Sequence, residues 1–403
     1  MAGTRTALVI GGGIAGPVTA MALRQAGIDA RVFERYDRPA DGVGGMLGLA
    51  ANGMAALEVI GADGAVREIG RPVRSMVMRS WTGKRLAEFG DGSVPVFDAV
   101  WRADLYRALY DEAARRGIRV EHGKRFVTAG ETDDGVTALF ADGSTATADI
   151  LIGADGIRSG VRGVLHPELR PRYTGLLGFG ALLAEGTDLP STGGSMHMIY
   201  GKRAFFAYQV DDDGRTGWFA NLPRREPMTP AGARAFGAAE WLRLLAGVFA
   251  EDRTPAVELL RRTAPAELVI VGALEDLPTV PAWSRGRIVL VGDAAHATSP
   301  SSGQGVSLAA ESAVQLARCL RDLPSHEEAF AAYERLRRGR VERVIAAATR
   351  TNNDKAAGPV ARVVRDLVLP VAMKLLAKPE KMAWQTGYRI DWDEQVRPET
   401  VTA

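Results

Sequence analysis

"TALVIGGGIAGPVTAMALRQAGIDARVFER", residues 6–35, is the stretch on which the fold turns. "TALVI" (6–10) is an aliphatic, β-branched run of strand length. Gly11, Gly13 and Gly16 follow as G-x-G-x-x-G, and "PVTAMALRQAG" (17–27) reads as a helix closed by Gly27. Pro17 suits the first helical turn, where its missing N–H costs nothing. "DARVFER" (29–35) supplies a second strand ending at Glu34. The glycines allow a tight turn, close approach of a pyrophosphate, and contact between helix and strand. The helix N-terminus favours phosphate charge. Glu34 offers acceptors to ribose hydroxyls, and its carboxylate would repel the 2′-phosphate of an NADP adenosine half. This βαβ unit predicts an α/β, Rossmann-like dinucleotide-binding domain, with FAD and NAD both open.

Two more strand-to-loop units follow. "ADILIGADGIRSGVR" (148–162) is a buried strand running into Asp155-Gly156, after a hairpin around "ADGS" (141–144). Helical spacing would gather Arg158, Ser159 and Arg162 near one helix start, although a β-turn with a capping serine and surface arginines explains them equally well. "GRIVLVGDAAHATSPSSGQGVSLAAESAVQLARCL" (286–320) is a strand, a loop and a helix of at least four turns. Asp293 falls at the carboxyl edge of a parallel sheet, where ligands sit in such folds. From Ala294 to Ala310 the only ionisable side chain is His296. Such a loop offers hydroxyls, glycines and a helix N-terminus, with Pro300 as a stiffener. That suits a flavin ring, whose reduced form carries negative charge that bare N–H groups stabilise. His296 is expected to hold the shape of the loop.

With these motifs in order, the chain resembles the single-component FAD-dependent aromatic hydroxylases typified by para-hydroxybenzoate hydroxylase. The resemblance rests on "GGGIAG" (11–16), "GADGIRSGVR" (153–162) and "VGDAAHATSPSSGQG" (291–305) and covers nearly the whole chain. It implies FAD held by Gly11, Gly13, Ile14, Ala15, Gly16, Glu34, Arg35, Arg102, Asp155, Asp293, Pro300, Gly303, Gln304 and Gly305. Arg102, in "WRADLYRAL" (101–109), matches the arginine that contacts the FAD phosphates. Asp155 is associated with both FAD and NAD(P)H. It also implies a discontinuous FAD-binding domain (1–72, 100–172 and 275–340), a mainly β substrate domain (73–99 and 173–274) and a C-terminal helical segment (341–403). No separate NAD(P)H domain is implied, and the length fits the compact version of the fold, without a thioredoxin-like extension.

The substrate half carries strand patterns instead of phosphate loops. "SMHMIYG" (195–201), "AFFAYQV" (204–210) and "TGWFANLP" (216–223) read as successive antiparallel strands, and 74–90 as another hairpin. Alternation sets Met196, Met198 and Tyr200 opposite His197 and Ile199, and Phe205, Ala207 and Gln209 opposite Phe206, Tyr208 and Val210. Trp218 and Ala220 likewise oppose Phe219 and Asn221. Alternation leaves open which face meets substrate. The substrate candidates are therefore Met198, Tyr200, Tyr208, Gln209, Trp218 and Asn221, with His197 and Tyr208 as candidate bases for ionising a phenol.

Composition bounds the rest. The chain has 403 residues, 46% hydrophobic and 24% charged, with a net charge of +2. This is an ordinary globular balance that gives no nucleic-acid partner; "RLRRGR" (335–340) reads as a solvated helix face. The single cysteine, Cys319, reads as a buried small residue and fits a reducing cytoplasm. No signal peptide or transmembrane stretch is expected, and the tail "VARVVRDLVLPVAMKLLAKPEKMAW" (360–384) reads as an amphipathic helical segment around Pro370. The resemblance implies an NADPH- or NADH-dependent monooxygenase, without a metal, that acts with O2 through a flavin C4a-hydroperoxide. Its product would be an aromatic or polycyclic natural product that is hydroxylated, epoxidised or subjected to Baeyer–Villiger insertion. A monomer or homodimer is expected. A flavin-dependent reductase or halogenase would share the FAD half, although no W-x-W-x-I-P segment is present. A non-catalytic NAD-binding redox sensor would leave Asp155 and residues 292–305 unexplained.

Overall fold

The computed structural model describes residues 4–39, 44–90, 92, 94–183, 185–355, 358–376 and 384–398. The first strand, Thr6–Ile10, lies between Asp29–Phe33 and Ile150–Gly153, parallel to both. Being covered on both faces, it is apolar almost throughout, as interior parallel strands are. The complete sheet runs in the order Ser284–Arg285, Ile288–Leu290, Ile150–Gly153, Thr6–Ile10, Asp29–Phe33, Val120–Glu121. Helices Ala15–Gln25 and Gly305–Asp322 pack against one another in its core. All three loops singled out in the sequence therefore leave the same carboxyl edge of one sheet.

A second sheet of seven strands forms the other half. Its order is Val269–Asp276, Arg172–Leu183, Thr216–Pro223, Phe205–Val210, Ser195–Tyr200, Ser75–Ser80, Arg85–Phe89. The expected hairpin at 74–90 is present, and its first strand joins Ser195–Tyr200 in parallel register. Helices Ala238–Val248 and Ala256–Arg262 cover one face of this sheet through Trp241, Leu245, Leu259 and Leu260. A small sheet of Met46–Ala50, Phe97–Trp101 and Arg71–Val73 lies beside the other face.

The expected breaks at 172/173 and 274/275 fall inside Arg172–Leu183 and Val269–Asp276, which pair with one another. The break at 340/341 falls inside a single helix, His326–Lys355. Its continuity follows from a buried face that includes Phe330, Tyr333, Arg337, Val341 and Val344 and spans the supposed boundary. The C-terminal helix Pro359–Leu376 contains Pro370, as its pattern suggested. It packs through Leu369, while Val363, Val364, Leu367 and Val368 are exposed. Residues 377–383 of that tail reading lie outside the described residues. Among the described residues no helix is long and apolar enough to cross a membrane.

Candidate active site

The glycine loop is built as its spacing demands. Gly11 has φ +107°, and a Cβ at Gly16 would stand 1.9 Å from the Gly11 carbonyl oxygen. Ile14 precedes helix Ala15–Gln25 without a side-chain cap, so the first N–H groups of the helix stay available to a ligand. Glu34 lies just past its strand, and its carboxylate accepts the Gly12 N–H at 2.7 Å and the Tyr36 N–H at 3.1 Å. Arg35 turns outward and donates to the Tyr36 hydroxyl at 2.9 Å.

Asp155 and Asp293 differ sharply. The Asp155 carboxylate accepts from Ser159 Oγ (2.5 Å), Gly160 N–H (2.7 Å) and Val161 N–H (3.2 Å), and so holds its own loop. Ser159 in turn caps helix Gly160–Leu165. Arg162 is no surface arginine. It is buried, and it donates to Ala294 O at 3.0 Å, tying this loop to the next. Asp293, by contrast, has no hydrogen-bond partner among the described residues and is open on one side. Protein surrounds it closely enough that lost solvation raises its pKa, against the opposing pull of Arg102 and Arg162. Arg102 itself begins helix Arg102–Arg115 and lies along Gly44.

After Asp293 the chain forms the short turn Asp293–His296 and then the one-turn helix Pro300–Ser302. Gly303 adopts φ +61°, which a side chain would strain, and Gln304 precedes helix Gly305–Asp322 without capping it. Gln304 Oε1 accepts from Asn52 Nδ2 at 2.9 Å. Asn52 also donates to Glu311 Oε1 at 2.6 Å, and Glu311 pairs with Arg337 (2.6 Å) and Arg340 (2.8 Å). The charge that is missing from the loop thus lies one layer behind it. His296 is buried, contacts Ser312 Oγ at 2.8 Å and packs by Trp283. Burial pushes its pKa down to about 3, so it is a neutral structural group.

The seven-stranded sheet resolves the question of faces. Tyr208 and Trp218 belong to the face under the two covering helices, where Trp218 stacks on Phe206 and donates to Thr263 at 2.9 Å. They are corrected from substrate contacts to core residues. His197 lies on the same face and contacts the Tyr208 hydroxyl at 2.8 Å. Burial, with Arg79 and Arg85, lowers its pKa to about 4, so it is a poor base near neutral pH. Met198, Tyr200, Gln209 and Asn221 share the opposite face with Phe205 and Phe219. There, Gln209, Gly217, Leu182, Met46 and Trp101 line a cavity of about 460 Å³. Gln209 Oε1 is buried and has no hydrogen-bond partner among the described residues, whereas its Nε2 donates to Asp211 at 3.1 Å.

Residues that the sequence reading did not mark also converge here. Asn352 and Lys355, three apart on His326–Lys355, share a helix face. Asn352 accepts from Ser299 Oγ at 2.9 Å, and Lys355 Nζ donates to Ser301 Oγ at 3.1 Å and Asn221 Oδ1 at 2.8 Å. Their only sequence signal is a polar run, "RTNNDK" (350–355), which equally describes a frayed helix end.

Comparison with known proteins agrees with this architecture. The FAD binding domain family matches residues 4–202 and 278–348. Aurachin C monooxygenase/isomerase of Stigmatella aurantiaca is 32% identical over 86% of this chain and 88% of its own length. FAD-dependent urate hydroxylase of Klebsiella pneumoniae is 31% identical over 84% and 87%. The 3-amino-4-hydroxybenzoate 2-monooxygenase of Streptomyces cremeus is 32% identical over 83% and 84%. The crystal structure of Klebsiella pneumoniae HpxO complexed with FAD and uric acid superposes with a TM-score of 0.83, at 26% identity, over 95% of this chain and 96% of that one. The chain therefore belongs to the FAD-binding-domain family and is an FAD-dependent monooxygenase.

Proposed function

We propose that the protein uses NADPH or NADH and O2 to insert one oxygen atom into an aromatic or polycyclic small molecule, in the service of natural-product biosynthesis. Gly11, Gly13, Ile14, Ala15, Gly16 and Arg102 would hold the FAD pyrophosphate, with Glu34 at the adenosine ribose and Arg35 beside it. Asp293 would take the ribityl chain. Pro300, Gly303, Gln304 and Gly305 would border the ring, with the Asp155 loop setting the position of Asp293 through Arg162. The residues suit that cofactor, since beyond its chain neighbours a Cβ at Gly13 would meet no atom of the described residues within 4 Å, leaving backbone bare for a phosphate. The observation that carries the reading is Asp293, a carboxylate without a hydrogen-bond partner among the described residues, at the head of a loop free of charged side chains.

Bound there, FAD supplies the redox chemistry by accepting electrons from a nicotinamide and passing them to O2. The protein's part is positioning. Two helix starts without side-chain caps would stabilise negative charge at the pyrophosphate and at the ring. Glu311 and Asn52 hold Gln304 in one orientation. Met198, Tyr200, Gln209 and Asn221 would orient the substrate, with the buried Gln209 Oε1 as an acceptor for a substrate N–H or O–H. The division into an FAD-binding part and a substrate part is supported by their separate cores, with breaks placed beside the strands and helix noted above.

An anaerobic titration of the purified protein with NADPH and NADH, following flavin absorbance with and without polycyclic phenols, tests the activity. Bleaching with one nucleotide, accelerated by a phenol, is expected. A flavin that stays yellow with both nucleotides and every phenol would count against the reading. Asp293→Ala is expected to weaken FAD binding about 10- to 100-fold, the range for losing hydrogen bonds to a charged group. Full flavin retention on dilution would remove Asp293 from its assigned role.

A further inference from the structure

Lys355 is the last described residue of helix His326–Lys355 and is buried, yet no carboxylate pairs with it among the described residues. Its ammonium donates to Asn221 on the substrate-facing side of the sheet and to Ser301 in the Pro300–Ser302 turn. It also stands 4.2 Å from the centre of the Phe205 ring and 5.8 Å from that of Phe219. The neighbouring Arg365 is committed to Asp366 (2.8 Å) and lies over the Tyr200 ring. Ring faces favour a cation only modestly. Burial lowers the Lys355 pKa to about 7. An apolar residue of similar volume would serve packing better, because a buried charge without a counter-ion is costly. A lysine kept under that strain, between the flavin-side loop and the substrate-side sheet, is complementary to an anion.

We infer that Lys355 is a specificity-determining residue whose ammonium receives a negatively charged oxygen of the aromatic substrate. The preferred substrates are then ionised phenols or acidic heteroaromatic hydroxyls rather than neutral rings. This rests on the reading of the site given above. A lysine ammonium has three donors, and its two protein acceptors here are both neutral, so an oxyanion is the strongest partner the site could add. The same charge could instead serve reduced flavin, and the test separates the two.

The test uses the FAD-loaded protein, with 4-nitrophenol, whose ionised form is yellow, and nitrobenzene as its neutral counterpart. Difference spectra across pH report the ionisation of bound nitrophenol. Wild type is expected to lower the pKa of the bound phenol by about one unit or more, as a cation within contact distance does. Lys355→Met should abolish that shift and weaken nitrophenolate binding about tenfold, while nitrobenzene binds both proteins alike. Lys355→Arg should restore the preference for the anion. Equal binding of nitrophenolate by wild type and Lys355→Met, or uptake of neither probe by wild type, overturns the proposal. So does a Lys355→Met effect confined to the flavin reduction potential without ligand, which would assign the charge to flavin. Failure of wild type to retain FAD or be reduced by either nucleotide would instead defeat the functional reading itself.

Discussion

Gly13→Ala should fold as the wild type does and lose FAD. Beyond its chain neighbours, a Cβ at Gly13 meets no atom of the described residues within 4 Å, and its φ is not in the left-handed region, so the fold has no objection to it. A glycine-to-alanine change at a compatible position even stabilises slightly, by about 0.4–1 kcal/mol, through the unfolded chain. The added methyl would occupy the backbone proposed here to receive the pyrophosphate, and a loss of about 100-fold in FAD affinity corresponds to roughly 3 kcal/mol. Gly16→Ala gives the opposite pattern. Its Cβ would stand 1.9 Å from the Gly11 carbonyl oxygen, so the helix must move off the strand. Overpacking of this kind costs about 3 kcal/mol and lowers the unfolding midpoint of the apoprotein. Thermal unfolding and flavin retention, measured on both variants, separate fold from cofactor. A Gly13→Ala protein that holds FAD as tightly as wild type would move the pyrophosphate off this loop.

Glu311→Gln should destabilise the FAD-binding half by roughly 3 kcal/mol, because it leaves two arginines facing a neutral amide. Arg337 is fully buried and pairs with Glu311 at 2.6 Å, and Arg340 reaches the same carboxylate through two nitrogens. Burial alone would raise the Glu311 pKa, but Arg337, Arg340 and Asn52 together hold it below the usual value. A carboxyl lowered in the folded state adds stability in full above its unfolded pKa, about 4.3, and loses it as pH falls through the folded pKa. The stability gap between wild type and Glu311→Gln, read from urea midpoints, should therefore be full at pH 7 and shrink below pH 4. A gap unchanged at low pH would mean that shape, not charge, is what Glu311 contributes. Since Asn52 links Glu311 to Gln304, the variant should also release FAD more readily at neutral pH.

The three strand–loop units at 6–35, 148–162 and 286–320 were legible because their determinants are local. Apolar runs of strand length and glycines at turns act within a few residues, and a shared carboxyl edge follows from parallel pairing. The strands at 195–200, 205–210 and 216–223 were legible for the same reason. Alternation told which residues share a face, placing Gln209 opposite Tyr208 and Asn221 opposite Trp218. Only the tertiary structure decided which face is covered by helices, since that depends on residues 238–262, whose apolar stripes do not name their partner. It also decided that Asp155 serves its own loop while Asp293 has no hydrogen-bond partner among the described residues. Lys355 was beyond any local signal, because its partners lie 54 and 134 positions away in the chain. Sequence by itself therefore determined the cofactor half and the strand order of hydrophobic faces, through short-range periodicity and sterics. The face left uncovered by those helices, and the lysine that stands beside it, were decided by long-range packing, which brings together segments that carry no mark of one another.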